Sequence, residues 1–458
     1  MPHARWDRPS RFISSRLSKG PLLSRHLSFA FATFALAMLA PASAGAQDGT
    51  LTLGEAVEAG LSVDPQTAAA QAARDAARAE RDVAAAARGV QADTEVSAGV
   101  RRLENATRRN LGIADDVLFP LEGLVQADWT LADFGRTDAQ VARAEALISA
   151  AESRIGGSRE ASAFAIAQEY VQVLLQQSAV EAASGNVASH QGLVALLRQS
   201  VEEGLVGLPE QQLAQQRLET ARARLAEAEQ ALADARETLA LLIAVPVPDN
   251  LAMPPDPAAQ LDASASVETD RLAASSPAVL AAREDARAAR LAADAAQADK
   301  KPTIGVDLQG RAGDDIDGFK GFTNDVRARV YVRLALTDGG ARDARYRAAL
   351  AQAREADARA RATLRDVQVD IARTGNAWTT LGALEQANAR ELEATRGLLD
   401  SYSAQFEANR RSLLDVFEAQ DMVLNAQIRL LNSRYSRLLA GYRALAAREA
   451  LVDFLVAN

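Results

Sequence analysis

Gly313-Asp314-Asp315-Ile316-Asp317-Gly318 packs three carboxylates into four positions, a density that suggests a calcium loop. The first liganding position of such a loop is an Asp, and a Gly stands there, so the segment reads as an acidic surface loop. Other chemistry-bearing residues are sparse. The chain has no cysteine, which removes disulfides, thiolate metal sites, thiol nucleophiles and an N-terminal lipid anchor. His3 and His26 fall in a segment expected to be removed, leaving His190 alone on a helix as a surface or packing residue. No Ser/His/Asp grouping, H-E-x-x-H, phosphate loop or dinucleotide fingerprint occurs, and Gly156-Gly157 sits inside helical sequence. An enzyme is not expected, nor is a cofactor or a metal.

The elements that would position anything else come next. Arg5, Arg8, Arg11, Arg16, Lys19 and Arg25 precede an apolar run over 27–40 and the small residues of 41–46, the pattern of a cleaved secretory signal over 1–46. That run is too short to span a membrane as a helix. A net charge of −9 without a basic stripe argues against nucleic acid as a partner.

Two stretches share one punctuation. WTLADFGR ends at Arg136 and LALTDGGAR at Arg342; Asp133 and Gly135 register on Asp338 and Gly340 with an offset of 205. The same offset lays Glu202, Leu208, Ala214 and Gln215 over Glu407, Leu413, Ala419 and Gln420. The chain is therefore read as a duplication: a first repeat over 47–244, a proline-rich linker over 245–265 and a second repeat over 266–458. Each repeat reads helix, strand, loop, strand, helix, turn, helix. First helices are expected near 66–90 and 278–300, very long ones near 137–203 and 342–408, and last ones near 210–244 and 413–456. Leu424, Ile428, Leu431, Tyr435, Leu438, Tyr442 and Leu445 step by four and three, the spacing of a coiled-coil seam. The long helices would reach roughly 100 Å, and the short ones could match that only by stacking end to end in pairs.

Hairpins are expected at about 93–131 and 303–336. Val326, Ala328, Val330, Val332, Leu334 and Leu336 alternate with Arg327, Arg329, Tyr331 and Arg333. Thr94–Val100, Leu121–Trp129 and Thr303–Gln309 alternate less cleanly. Strands of this kind suit either a soluble sheet with one wet face or a membrane β-barrel. Four strands cannot close such a barrel, so in the second case several chains must pool theirs.

The doubled helix–hairpin–helix plan, the paired Asp-x-Gly strand exits and the two helix-tip turns resemble the TolC family of outer-membrane export channels. The resemblance implies a mainly α protein with transmembrane β: a trimeric barrel of twelve strands, four per protomer, continued by a periplasmic coiled-coil helical barrel. It implies outer-membrane lipid around the barrel, a periplasmic adaptor, and an inner-membrane ABC or proton-driven transporter as partners. It places Asp133, Gly135, Asp338 and Gly340 at the barrel-to-tunnel junctions. Gly204, Gly207, Leu208, Asn409, Ser412 and Leu413 would form the adaptor-docking tip turns. By the same resemblance Asp415 and Glu418 would ring the pore constriction, and Arg411 with Glu210 would latch the closed tips. Asn409 stands where a Gly is usual, and Pro209 replaces a small polar residue. The remaining alternative is a soluble periplasmic coiled-coil structural or adaptor protein, although no lipoyl-like block of Gly and Val is present.

Overall fold

A computed structural model describes residues 50–204, 206–264, 269–408 and 410–457. The signal segment over 1–46 and Asn409 lie outside the described residues. The elements, in order, are α1 (Leu53–Val63), α2 (Pro65–Ala86), β1 (Val90–Ala98), β2 (Arg101–Arg102), α3 (Ala106–Asn110), β3 (Val117–Leu118), β4 (Leu121–Ala132), α4 (Arg136–Glu202), α5 (Leu208–Ile243), α6 (Ala258–Ser264), α7 (Thr269–Ser275), α8 (Pro277–Ala298), β5 (Thr303–Asp314), β6 (Phe322–Arg333), α9 (Ala341–Glu407), α10 (Leu413–Ala446) and α11 (Leu451–Ala457).

Both long helices run 67 residues, and each starts within one residue of its expected position. Their short partners stack along them. α2 lies on the early part of α4, where Arg78 meets Glu152 at 3.0 Å, and α5 on its later part, where Leu218 joins Val194 in one cluster. On α9, α8 contributes the Arg290–Asp357 pair and, further along, α10 contributes Arg429–Glu391 at 2.6 Å. Asp64 caps α2 by accepting from Gln66 and Thr67 amides ahead of Pro65, whose missing N–H costs nothing there.

Where the short helices meet, a waist core gathers Leu53, Val57, Ile166, Tyr170, Leu174, Leu239, Ile243, Tyr442, Leu445, Leu451 and Leu455. The inter-repeat segment straps it: Leu251 bridges Leu51, and Tyr442 Oη donates to the Pro255 carbonyl at 2.8 Å. Gly441 permits that close approach, since a Cβ there would sit 2.4 Å from Pro257 Cγ. The last helix does not run unbroken over 413–456. It ends at Ala446, Glu449 takes a left-handed turn at φ 57°, and α11 tucks Leu451, Val452 and Leu455 into the waist. Burying those three side chains is worth several kcal/mol and outweighs the turn. Glu160 receives the new helix start, accepting from the Leu451 and Val452 amides at 3.2 and 3.3 Å.

The four long strands form one antiparallel sheet in the order β1-β4-β5-β6, leaving β1 and β6 as free edges. Its rows alternate in character, because successive side chains point to opposite faces. Val90–Trp129–Val306–Val330, Ala92–Ala127–Leu308–Ala328 and Thr94–Val125–Gly310–Val326 line one face. Gln91–Asp128–Asp307–Arg329, Asp93–Gln126–Gln309–Arg327 and Glu95–Leu124–Arg311–Asp325 line the other. Val96, Val326 and Val330 are each more than 70% exposed, so nothing in the protomer covers the apolar face. Leu334 and Leu336 fall beyond β6. The ladder ends at the pair Thr303–Arg333 because Pro302 has no N–H to extend it. Among the described residues no helix is long and apolar enough to cross a membrane.

Candidate functional site

At the end of the protomer away from the sheet, α4 turns into α5 and α9 into α10. Gly204 supplies the left-handed residue of the first turn, at φ 73°. Gly207 is the N-cap of α5, with Pro209 in the first turn and the Glu210 carboxylate folded back over the Gly207 Cα. In the second turn Ser412 and Asp415 form a capping box. Ser412 Oγ accepts from the Asp415 amide at 3.3 Å, while Asp415 Oδ2 takes the Ser412 hydroxyl at 2.8 Å and its amide at 3.3 Å. Arg411 lies 3.7 Å from that same oxygen and stacks 3.9 Å over the Tyr402 ring. Within the protomer Arg411 thus engages Asp415 and Tyr402 rather than Glu210. Glu418, one turn on, is exposed. The registered leucines differ: Leu208 is exposed and Leu413 buried.

Beneath these turns lies a small core of its own, joining Val187, Val194 and Leu197 of α4 to Ala214, Leu218 and Ala221 of α5 and to Leu413 and Phe417 of α10. His190 belongs to it, buried and stacked on Phe417 at 5.5 Å between centroids. Burial pulls the His190 pKa down and the charges of Arg217 and Arg224 add to this, while Asp421 works the other way. Both arginines reach from α5 to Asp421 of α10, at 3.4 and 2.9 Å, a tie between the two repeats that sequence reasoning missed. No local motif marks it, because the partners lie on separate helices about 200 positions apart.

At the sheet end, each junction is built the same way. Gly135 and Gly340 take left-handed conformations at φ 93° and 85°, turning the chain from strand to helix. Asp133 accepts from the Gly135 and Thr137 amides at 3.3 and 2.9 Å and from the Thr137 hydroxyl; Asp338 accepts from the Gly340 and Arg342 amides at 3.0 and 2.9 Å. Asp299, at the end of α8, lies 3.5 Å from Arg136 and 3.8 Å from Arg342, linking the two junctions. Trp129 donates its indole N–H to the Arg88 carbonyl at 3.1 Å, at the end of the apolar band. Beyond the sheet's other end, the acidic loop spends its carboxylates on the protein itself. Asp315 accepts from the Phe119 and Gly321 amides and Asp317 pairs with Arg311 at 2.8 Å. The buried Arg108 of α3 reaches the Gly318 carbonyl and joins the two loops. Among the described residues no group of side chains is arranged to hold a metal ion.

A sheet with one bare apolar face and two free edges, continued by 67-residue helices, defines a protomer that pools strands with others in a membrane barrel extended by a helical tube. The chain belongs to the outer membrane efflux protein family: residues 57–245 and 269–447 match the family's sequence profile, one span in each repeat. Its place is the outer membrane, extending into the periplasm, and its relatives are channels rather than enzymes. The fold is similar to a membrane protein from Pseudomonas aeruginosa (TM-score 0.76, 20% identity, covering 86% of this chain and 90% of that one). It is similar also to the outer membrane protein VceC of Vibrio cholerae (0.72, 20%, 87% and 96%). The open state of the MtrE outer membrane channel of Neisseria gonorrhoeae gives 0.73 at 17% identity, covering 87% and 89%. No curated protein matches the sequence. Family membership removes the soluble-adaptor alternative.

Proposed function

We propose that three copies of this chain form the exit duct of a tripartite exporter, receiving substrate from an inner-membrane ABC or proton-driven transporter through a periplasmic adaptor. The observation that carries the reading is the sheet, whose uncovered apolar face and free edges require lipid and neighbouring strands. Three four-stranded sheets make twelve strands. The long helices then hang into the periplasm, and the α4–α5 and α9–α10 turns form the entrance and the surface for the adaptor.

In this reading Asp415 and Glu418 ring the constriction with six carboxylates, a cation-preferring filter. Their surroundings divide the labour. Asp415 is committed to Ser412 and Arg411 and chiefly holds the turn, whereas the exposed Glu418 is free to face ions. Arg411 would exchange Asp415 for Glu210, its partner across the repeat, when the tips close. The test is conductance in planar lipid bilayers. The wild type should form channels preferring cations, Glu418→Ala should lower the cation-to-anion permeability ratio, and Asp415→Ala should chiefly destabilise the tip. A purified protein that neither enters bilayers nor conducts would overturn the channel reading. Unchanged selectivity in the Asp415→Ala, Glu418→Ala pair would overturn the ring alone.

A further inference from the structure

Over the stretch of α9 nearest the sheet, an arginine returns every seventh residue on one face. Arg347, Arg354 and Arg361 are exposed and span about 21 Å, with Arg365 one turn further on. Among the described residues none of the four makes an ion pair. Beside them, on the exposed face of α8, stand Arg283, Arg287 and Arg290. The carboxylates on this side are few. Asp343 is held by Lys300 at 2.5 Å, Glu284 pairs with Arg287 at 3.4 Å and Asp357 pairs with Arg290, leaving Asp294 against the remaining arginines. Ala286 and Ala360 line the groove between the two helices, so its floor is shallow and small.

The first repeat has no such row. At the offset of 205, Arg347, Arg354, Arg361 and Arg365 fall on Ala142, Ser149, Gly156 and Glu160; at the offset of 212, Arg283 and Arg287 fall on Gln71 and Asp75. The shared backbone plan therefore stands without these arginines. In a chain of net charge −9, their gathering on one groove makes a local positive field. The opposite face of α9 is mixed: Arg345, Arg359 and Arg373 share a row with Asp366, and Arg359 is taken by Glu355. Gln368, the next step of the arginine row, donates to Asp270 of α7 at 2.7 Å, and Arg283 donates to the Ala274 carbonyl at 3.3 Å. α7 thus lies against this face. In a conducting tube of three chains α7 must sit outside, because three such helices in the bore would block it.

Building on the trimeric reading, we propose that the α8–α9 groove is a docking strip for an acidic protein segment, whose carboxylates run between Arg347, Arg354 and Arg361 on one wall and Arg283 and Arg287 on the other. Guanidinium forks suit carboxylates, and an extended segment of about seven residues reaches from the first arginine of the row to the last. Lipid headgroups do not match the strip. Arg361 lies about 30 Å along α9 from its start, whereas a headgroup layer is only about 5–8 Å deep.

The test is fluorescence anisotropy of a labelled glutamate decamer with the full-length protein in mild detergent, alongside native electrophoresis. The wild type should bind saturably and more weakly as salt rises. Arg347→Gln with Arg354→Gln and Arg361→Gln should weaken binding by about tenfold or more, while the trimer fraction stays unchanged. Arg345→Gln with Arg359→Gln and Arg373→Gln removes the same charge from the other face and should change binding by less than about twofold. Equal weakening by the two triple variants, or no saturable binding by the wild type, refutes the strip. Displacement of the decamer by phosphatidylglycerol at equal charge refutes a protein partner in favour of lipid. Loss of trimer in the first variant assigns the row to the seam between copies and also refutes the strip. A wild type that is not trimeric refutes the underlying reading instead, since decamer binding is read separately.

Discussion

Phe417→Ala should unfasten the entrance without unfolding the protomer. Phe417 is fully buried and is the large side chain by which α10 enters the core formed by α4 and α5. Truncating a buried Phe costs about 3–5 kcal/mol through lost burial and the residual cavity. The loss of the His190 stack falls within that figure, at about 0.5–1.5 kcal/mol. The eight buried members of this core sit apart from the waist cluster, so the cost should fall locally. Stability of this size exceeds what the partly exposed Arg217 and Arg224 pairs with Asp421 can hold, since ion pairs in contact with solvent contribute at most about 1 kcal/mol.

Hydrogen exchange resolved by peptide is the direct assay, with bilayer conductance beside it. Protection should fall over 187–221 and 413–424 by a factor of about 100 or more, as expected for 3 kcal/mol, while the waist around 163–174 is unchanged. Conductance of the closed channel should rise as the tips part. Equal loss of protection at tip and waist would refute the idea of an independent tip core. Local loosening without any change in conductance would refute its role in holding the entrance shut.

The remaining expectations concern protonation and caps. His190 has a lowered pKa because burial disfavours its charged form, so its contribution is intact above about pH 6.5 and is lost as pH falls below that value. Tip protection should therefore weaken from pH 7 to pH 5, and His190→Leu should flatten the dependence; an identical slope in the variant would refute the assignment. Asp133→Ala should cost about 1–2 kcal/mol and Asp338→Ala less, because the Asp133 side chain is 11% exposed with three donors while that of Asp338 is 31% exposed with two amide donors. Thermal unfolding of the two variants checks the order.

Periodicity made the helices legible, because a coiled-coil seam must repeat over its whole length, and both 67-residue helices start within one residue of where it places them. The strands were legible only in their apolar stretches. β5 reads as Thr303–Gln309 in sequence, yet continues to Asp314, because Gly310, Gly313 and the charged residues of the polar face interrupt the alternation. The end of α10 was hidden for a different reason. Glu449 occupies the left-handed turn where a Gly would have announced the stop, and the burial that drives it comes from a waist assembled by both repeats. At the tips, the turns could be placed from Gly204, Gly207 and Ser412. The Arg217, Arg224 and Asp421 tie could not, since long-range pairs leave no trace in local spacing.

The duplication itself explains why the two copies are not interchangeable. A common backbone plan gives matching turns at Gly207 and Ser412 and matching left-handed exits at Gly135 and Gly340. Each pair then sits in unlike surroundings. Leu413 is buried beside Phe417, whereas Leu208 at the same register is 63% exposed. The first tip has Gly207 and a folded-back Glu210, while the second has a full capping box that restrains Asp415. A tube of equivalent repeats would have equivalent tips, with nothing to decide which hairpin stays anchored and which moves. Here α10 is tied into the core of the other hairpin by a ring, a histidine stack and two arginines, so the second tip can move inward or outward only by breaking named contacts. If the tips gate as proposed, the unequal use of two registered sequences would give the closed entrance specific contacts to break.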